Sequence, residues 1–129
     1  MALTILDSSI VIGLLDRSDQ LHQAATAAML AHAGDDLRLP ASAYAECLVG
    51  PARRGRLVDA RARVSDLQLE IEPLTSTIAE QAAQLRSRFR SLRLPDVLVI
   101  ATAEVLKADT ILTGDAAWRR ASPRVVLVS

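Results

Sequence analysis

The sequence predicts an α/β sandwich built on a mainly parallel sheet, and two observations carry that reading. Short apolar runs alternate along the chain with longer segments whose apolar residues recur at helical spacing. That alternation marks strands joined by helical crossovers. The length of 129 residues suits one domain spanning 1–129. A chain of that size buries roughly 68% of its unfolded surface and needs no disulfide or structural metal to fold.

Each element has its own local signal. Leu3–Leu6 is an apolar run cut off at Asp7 and reads as a buried strand. Ser9–Leu15 is apolar and reads as a short helix, broken by the polar Asp16-Arg17-Ser18-Asp19. Leu21–Ala33 is Ala-rich at helical spacing, with Gly34 as its stop. Leu37–Leu39 is a strand closed by Pro40. Ser42 can cap a helix running through Val49, which Gly50-Pro51 is expected to interrupt. A second helix covers Leu57–Leu67. Leu69–Leu74 alternates apolar with acidic residues, as a strand near a sheet edge does. Thr75–Arg90 is a helix with Ile78, Ala82, Leu85 and Phe89 on one stripe, expected to face the core rather than a second copy. Pro95 starts another helix, through Leu106. Thr110–Thr113 is a strand, Trp118 sits on a short helix after it, and Val125–Val128 is a final β-branched strand.

Composition removes several function classes. The 15 basic and 15 acidic residues cancel, which counts against a broad nonspecific nucleic-acid coat and a disordered tail. Cys47 is the only cysteine, so no internal disulfide or multi-cysteine metal site exists. No apolar run reaches the length of a membrane span. The start lacks a basic region and carries Asp7, unlike a signal peptide. A cytoplasmic location is the expectation. Gly50-Pro51-Ala52-Arg53-Arg54-Gly55-Arg56 imitates half a phosphate loop but lacks its Lys and Ser/Thr, and Pro51 removes an amide donor. A phosphatase built on a strand-end Asp-x-Asp would need an acid at Ser9. His22 and His32 lie roughly 80° apart at about 100° per residue, so they do not converge for metal-free RNA cleavage.

What remains is a set of four acids. Asp7 follows the first strand, and Glu46 lies in the helix after the second. Asp96 opens the helix after Pro95, and Asp115 follows the strand ending at Thr113. In a parallel sheet all four can point into one crevice at the carboxyl edge, where such folds bind ligands. Each also has a structural reading: Asp7, Asp96 and Asp115 as acids at helix starts, Glu46 as an ordinary helix acid. Four negative charges in a crevice require protonation, arginine partners or divalent cations. With only carboxylate oxygens at hand, the cation would be Mg²⁺ or Mn²⁺ rather than Zn²⁺. Two such ions can clamp a phosphodiester for hydrolysis.

These residues resemble the PIN-domain family, and within it the small VapC-type toxins of bacterial toxin–antitoxin pairs. The resemblance spans essentially the whole chain. It rests on Leu6-Asp7-Ser8-Ser9-Ile10, on Asp19-Gln20-Leu21-His22, on Ala43-Tyr44-Ala45-Glu46, on Leu94-Pro95-Asp96-Val97-Leu98, and on Leu112-Thr113-Gly114-Asp115 followed by Trp118. It implies a five-stranded parallel sheet of order 3-2-1-4-5 with helices on both sides. It implies an endoribonuclease using one or two Mg²⁺ or Mn²⁺ ions, with Asp7, Glu46, Asp96 and Asp115 as ligands directly or through water. Ser9 and Thr113 would orient carboxylate or water. The implied partners are RNA (tRNA, rRNA or mRNA), a small VapB-type antitoxin and a second copy of the chain, with no membrane.

All basic residues but Lys107 are arginines, and they cluster. Arg53, Arg93 and Arg119, one from each cluster, are the expected RNA contacts, against the alternative of a solvated face. With few aromatic residues, base stacking is a poor basis for RNA choice. The competing function is a non-catalytic PIN-like module that binds RNA or a protein. A weaker third is a phosphohydrolase of small molecules using the same metals.

Overall fold

The computed structural model describes residues 1–129. Its elements run β1 (Leu3–Leu6), α1 (Ser8–Leu15), α2 (His22–Ala31), β2 (Asp36–Pro40), α3 (Ala41–Arg53), α4 (Leu57–Asp66), β3 (Glu70–Glu72), α5 (Ser76–Arg88), α6 (Leu94–Leu106), β4 (Thr110–Thr113), a 3₁₀ turn (Ala116–Arg120) and β5 (Val125–Leu127). The five strands form one sheet of order β3-β2-β1-β4-β5, and every pairing is parallel. This is the α/β sandwich expected from the sequence, in the strand order that the family resemblance implies.

The order places β1 at the centre, where both faces of the sheet are covered, and Thr4, Ile5 and Leu6 are fully buried. From β1 the chain winds outward to β2 and β3, then crosses back to β4 and β5. Right-handed crossovers in opposite directions put helices on opposite faces. Helices α1 and α2 pack together, as do α5 and α6. The core joins Ile5, Leu6, Ile10, Leu39, Ile100, Ile111, Leu112 and Trp118. Ile78, Ala82 and Leu85 of the α5 stripe belong to it, with Phe89 packed partly buried against it.

Two local readings change. Helix α3 does not stop at Gly50 but runs to Arg53 with Pro51 inside it. Pro51 lies in the last turn, where its missing N–H forfeits only one helical bond. The chain then closes through Arg54, whose N–H reaches the Gly50 and Pro51 carbonyls at 3.3 and 3.1 Å. The first residue of α3 is Ala41, with Pro40 in the capping position in place of Ser42. The edge strand β3 is only three residues long. It is held by Arg38 of β2, which pairs with Asp36 and Glu72 at 2.9 Å each and with Glu70 at 3.5 Å.

Candidate active site

The switch of direction at β1 opens a crevice beyond the carboxyl ends of β1 and β4, where open parallel sheets bind ligands. A cleft of about 400 Å³ lies there. It is lined by Asp7, Ser8, Ser9, Leu21, Glu46, Arg93, Asp96, Gly114, Asp115 and Ala116. All four sequence-selected acids are on it, and each arrives on a separate segment.

Asp7 is the anchored member. Its backbone N–H donates to the Leu112 carbonyl at 3.0 Å, extending the β1–β4 ladder by one residue. It also caps α1: the Ser8 N–H donates to Oδ1 at 2.8 Å. Its other oxygen, Oδ2, accepts the Ser9 hydroxyl at 2.8 Å and the Thr113 hydroxyl at 2.9 Å. Asp7 therefore caps α1 and lines the cleft at once. Both hydroxyls also tie down the loop after β4. Ser9 Oγ accepts the Gly114 N–H at 3.1 Å, and Thr113 Oγ1 accepts the Asp115 N–H at 3.1 Å.

The other three acids stand around this anchor. Asp96 accepts the Arg93 N–H at 3.1 Å, closing the first turn of α6. The Arg93 guanidinium is 3.8 Å from the same carboxylate and itself 78% exposed. Asp115 caps the 3₁₀ turn through the Ala117 N–H at 2.9 Å and is exposed. Glu46 is half-buried on α3. A Cβ at Gly114 would come within 2.8 Å of Leu21 Cδ2, the movable end of a side chain at the mouth of the cleft.

The electrostatics are those of an under-neutralised acidic site. Burial is the main cause pushing Asp7 above its ordinary carboxylate value, and the charge of Asp96 adds to it. The hydroxyls of Ser9 and Thr113 and the Ser8 amide oppose the rise. Glu46 is raised too, first by burial and then by the charges of Asp7 and Asp96, against the pull of Arg93 and the Ser8 hydroxyl. Arg93 is the one cation lining the cleft.

Not every expected residue is here. Of the three arginines selected from the sequence, only Arg93 lines the cleft; Arg53 and Arg119 are exposed elsewhere. Ser8 was not singled out, yet it supplies an amide to Asp7 and a hydroxyl beside Glu46. Leu21 and Gly114 carried no chemical signal. His22 and His32 stay apart, as expected: His22 Nδ1 bonds the Gly13 carbonyl and His32 Nδ1 bonds Asp35.

A parallel α/β domain with an all-oxygen acidic cleft at its switch point is the class of protein the geometry defines. A sequence model of the PIN domain matches residues 4–122, and the chain belongs to that family. Its fold is similar to a chain of a toxin–antitoxin complex from Klebsiella pneumoniae, with TM-score 0.80 and 25% identity over 100% of this chain and 98% of that one. It is similar also to VapBC2 from Rickettsia felis bound to a promoter DNA fragment, with TM-score 0.77 and 15% identity over 97% and 96%. A third is VapC20 from Mycobacterium tuberculosis, a sarcin–ricin loop cleaving toxin, with TM-score 0.70 and 18% identity over 87% and 91%. No curated protein matches the chain significantly in sequence.

Proposed function

We propose that this chain is a VapC-type ribonuclease toxin that cleaves RNA with divalent metal and is restrained by a partner antitoxin. The observation that carries the reading is the convergence of Asp7, Glu46, Asp96 and Asp115 on one cleft whose lining holds a single arginine. Membership of the PIN family and the likeness to the toxin–antitoxin chains support it.

The donor set fits a hard cation. Every polar side chain facing the cleft other than Arg93 offers oxygen, which selects Mg²⁺ or Mn²⁺ over thiophilic metals. No three acidic, histidine or cysteine side chains close on a single point. Such a layout suits Mg²⁺, which keeps several waters and takes one or two carboxylates directly. Asp7 and Asp96 would hold the ion, with Glu46 and Asp115 reaching it directly or through water. When bound, the metal supplies Lewis-acid activation of the phosphodiester and of water.

The chain's own residues set the geometry. Ser9 and Thr113 hold Asp7 Oδ2 by two hydroxyl donations, fixing the carboxylate in its charged orientation. The Ser8 amide leaves Oδ1 one remaining lone pair to direct into the cleft. Arg93, exposed at the rim, meets a phosphate oxygen of the incoming strand. Pairing into a homodimer is part of the same proposal.

Calorimetric titration with Mn²⁺ tests the site. The wild-type chain is expected to take up the ion and Asp7→Asn to lose most of that heat. A chain that cleaves RNA without taking up Mn²⁺ would contradict the metal reading. One that binds RNA but neither takes up Mn²⁺ nor cleaves would be a binding module.

A further inference from the structure

A second groove adjoins the acidic cleft, and Glu46 lines both. It encloses about 470 Å³ between the end of α1 and helices α3 and α4. Its apolar floor includes Ile12, Leu15 and Ala60, and its rim carries Arg17, Arg54 and Arg63. All three arginines are exposed, and none takes part in an ion pair. Arg63 donates to the Leu15 carbonyl, which fixes the guanidinium without cancelling its charge. The one rim carboxylate besides Glu46 is Asp16, and it already accepts the Ser18 amide and hydroxyl at 2.9 and 2.6 Å.

The sequence of α3 builds the passage between the two sites. Glu46, Gly50 and Arg54 are spaced by four and share a helix face. Gly50 is a costly residue inside a helix, worth roughly 1 kcal/mol against alanine. Here it makes room: a Cβ at Gly50 would sit 3.3 Å from Arg54 Nη1. The arginine therefore lies back across Gly50. From Glu46 to Arg54 the helix advances roughly 12 Å at about 1.5 Å per residue. That equals three to four steps of a stacked strand at about 3.4 Å each.

We propose that this groove carries the RNA backbone away from the acidic cleft, with Arg17, Arg54 and Arg63 neutralising its phosphates. The proposal rests on the ribonuclease reading of the cleft. Three arginines free of ion pairs outnumber the two acids on the lining, Asp16 and Glu46, and that excess favours a polyanion. The lack of an aromatic lining fits backbone contact without base stacking.

The test is binding of a labelled single-stranded RNA in Ca²⁺, followed by anisotropy across a salt series, with cleavage measured in parallel in Mn²⁺. Each of Arg17→Ala, Arg54→Ala and Arg63→Ala should lower the slope of log affinity against log salt by about 0.7, and the triple variant by about 2. Arg54→Lys should keep the slope, because it keeps the charge. In cleavage the triple variant should raise KM tenfold or more and leave kcat near wild type. Melting temperatures within error of wild type exclude misfolding. Unchanged slopes beside normal cleavage would overturn the groove and leave the nuclease reading standing. Loss of binding to a co-expressed antitoxin with RNA affinity intact would also overturn it, and make the groove a protein interface. Arginine-dependent RNA binding by a wild-type chain that cleaves nothing would support the groove and overturn the nuclease reading.

Discussion

Thr113 shows how much of the site depends on one hydroxyl. It is fully buried, donates to Asp7 Oδ2, and accepts the Asp115 N–H. Thr113→Val keeps the shape and deletes both bonds. Hydrogen bonds to a charged group are worth about 1.5–3 kcal/mol, so cleavage should fall about 10- to 100-fold, and Thr113→Ser should restore most of it. Initial-rate assays of the two variants check this; equal rates for Val and Thr would remove the positioning role. At this scale Asp7, Asp96 and Asp115 were legible because each follows a strand or opens a helix, whereas Glu46, inside α3, stood out only through its place after the second strand. The contribution of Ser8 was not legible, because a serine at a helix start looks the same whether or not a carboxylate faces it. The arginines were least legible. Arg93 reaches the cleft because it immediately precedes α6, while Arg53 and Arg119 do not line it, and linear clustering carries no information about which face a side chain takes.

Elements fail or hold by their ends. Helix α5 is capped by Thr75, whose side chain accepts the Ile78 N–H at 3.2 Å. Thr75→Ala should cost about 1 kcal/mol, read as a lower urea midpoint with an unchanged slope. The start of β2 is tied by Asp35, which accepts the Thr4 hydroxyl at 2.8 Å and bonds His32 at 2.7 Å. Those bonds, the one from His32 first, hold the Asp35 carboxyl below its ordinary value of 3.8. A carboxyl depressed in the folded state stabilises above its unfolded pKa, and that stability is lost as pH falls through the folded value. Asp35→Asn should therefore be less stable than wild type at neutral pH, and the gap should narrow as the pH falls below 3.8. Melts across that range decide it; a gap independent of pH would contradict it. Periodicity located every element, but misjudged α3. A proline in a helix's last turn looks in sequence like one in its middle, and only the bond it forfeits tells them apart.

At the scale of the molecule, the neutral total hides a separation of charge. With four of its 15 acids gathered at one cleft, the 15 basic residues are in excess over the rest of the surface, a distribution suited to a phosphodiester substrate. Alternation of elements predicted a parallel α/β domain, whereas the strand order came only from the resemblance to a family, since local pattern does not say which strands become neighbours. That order matters because it places Asp7 and Asp115 side by side at the switch point. Cys47, buried against the same region, has its thiol pushed up to about 12 by burial, and should resist alkylation until the chain unfolds. The most direct test of the central claim is cleavage of a structured RNA in Mn²⁺, in EDTA, and by Asp7→Asn and Asp96→Asn. The account predicts activity in Mn²⁺, none in EDTA, and a loss of at least about 100-fold in each variant, in the range seen when catalytic electrostatics are removed. Undiminished cleavage in EDTA or in either variant would contradict it.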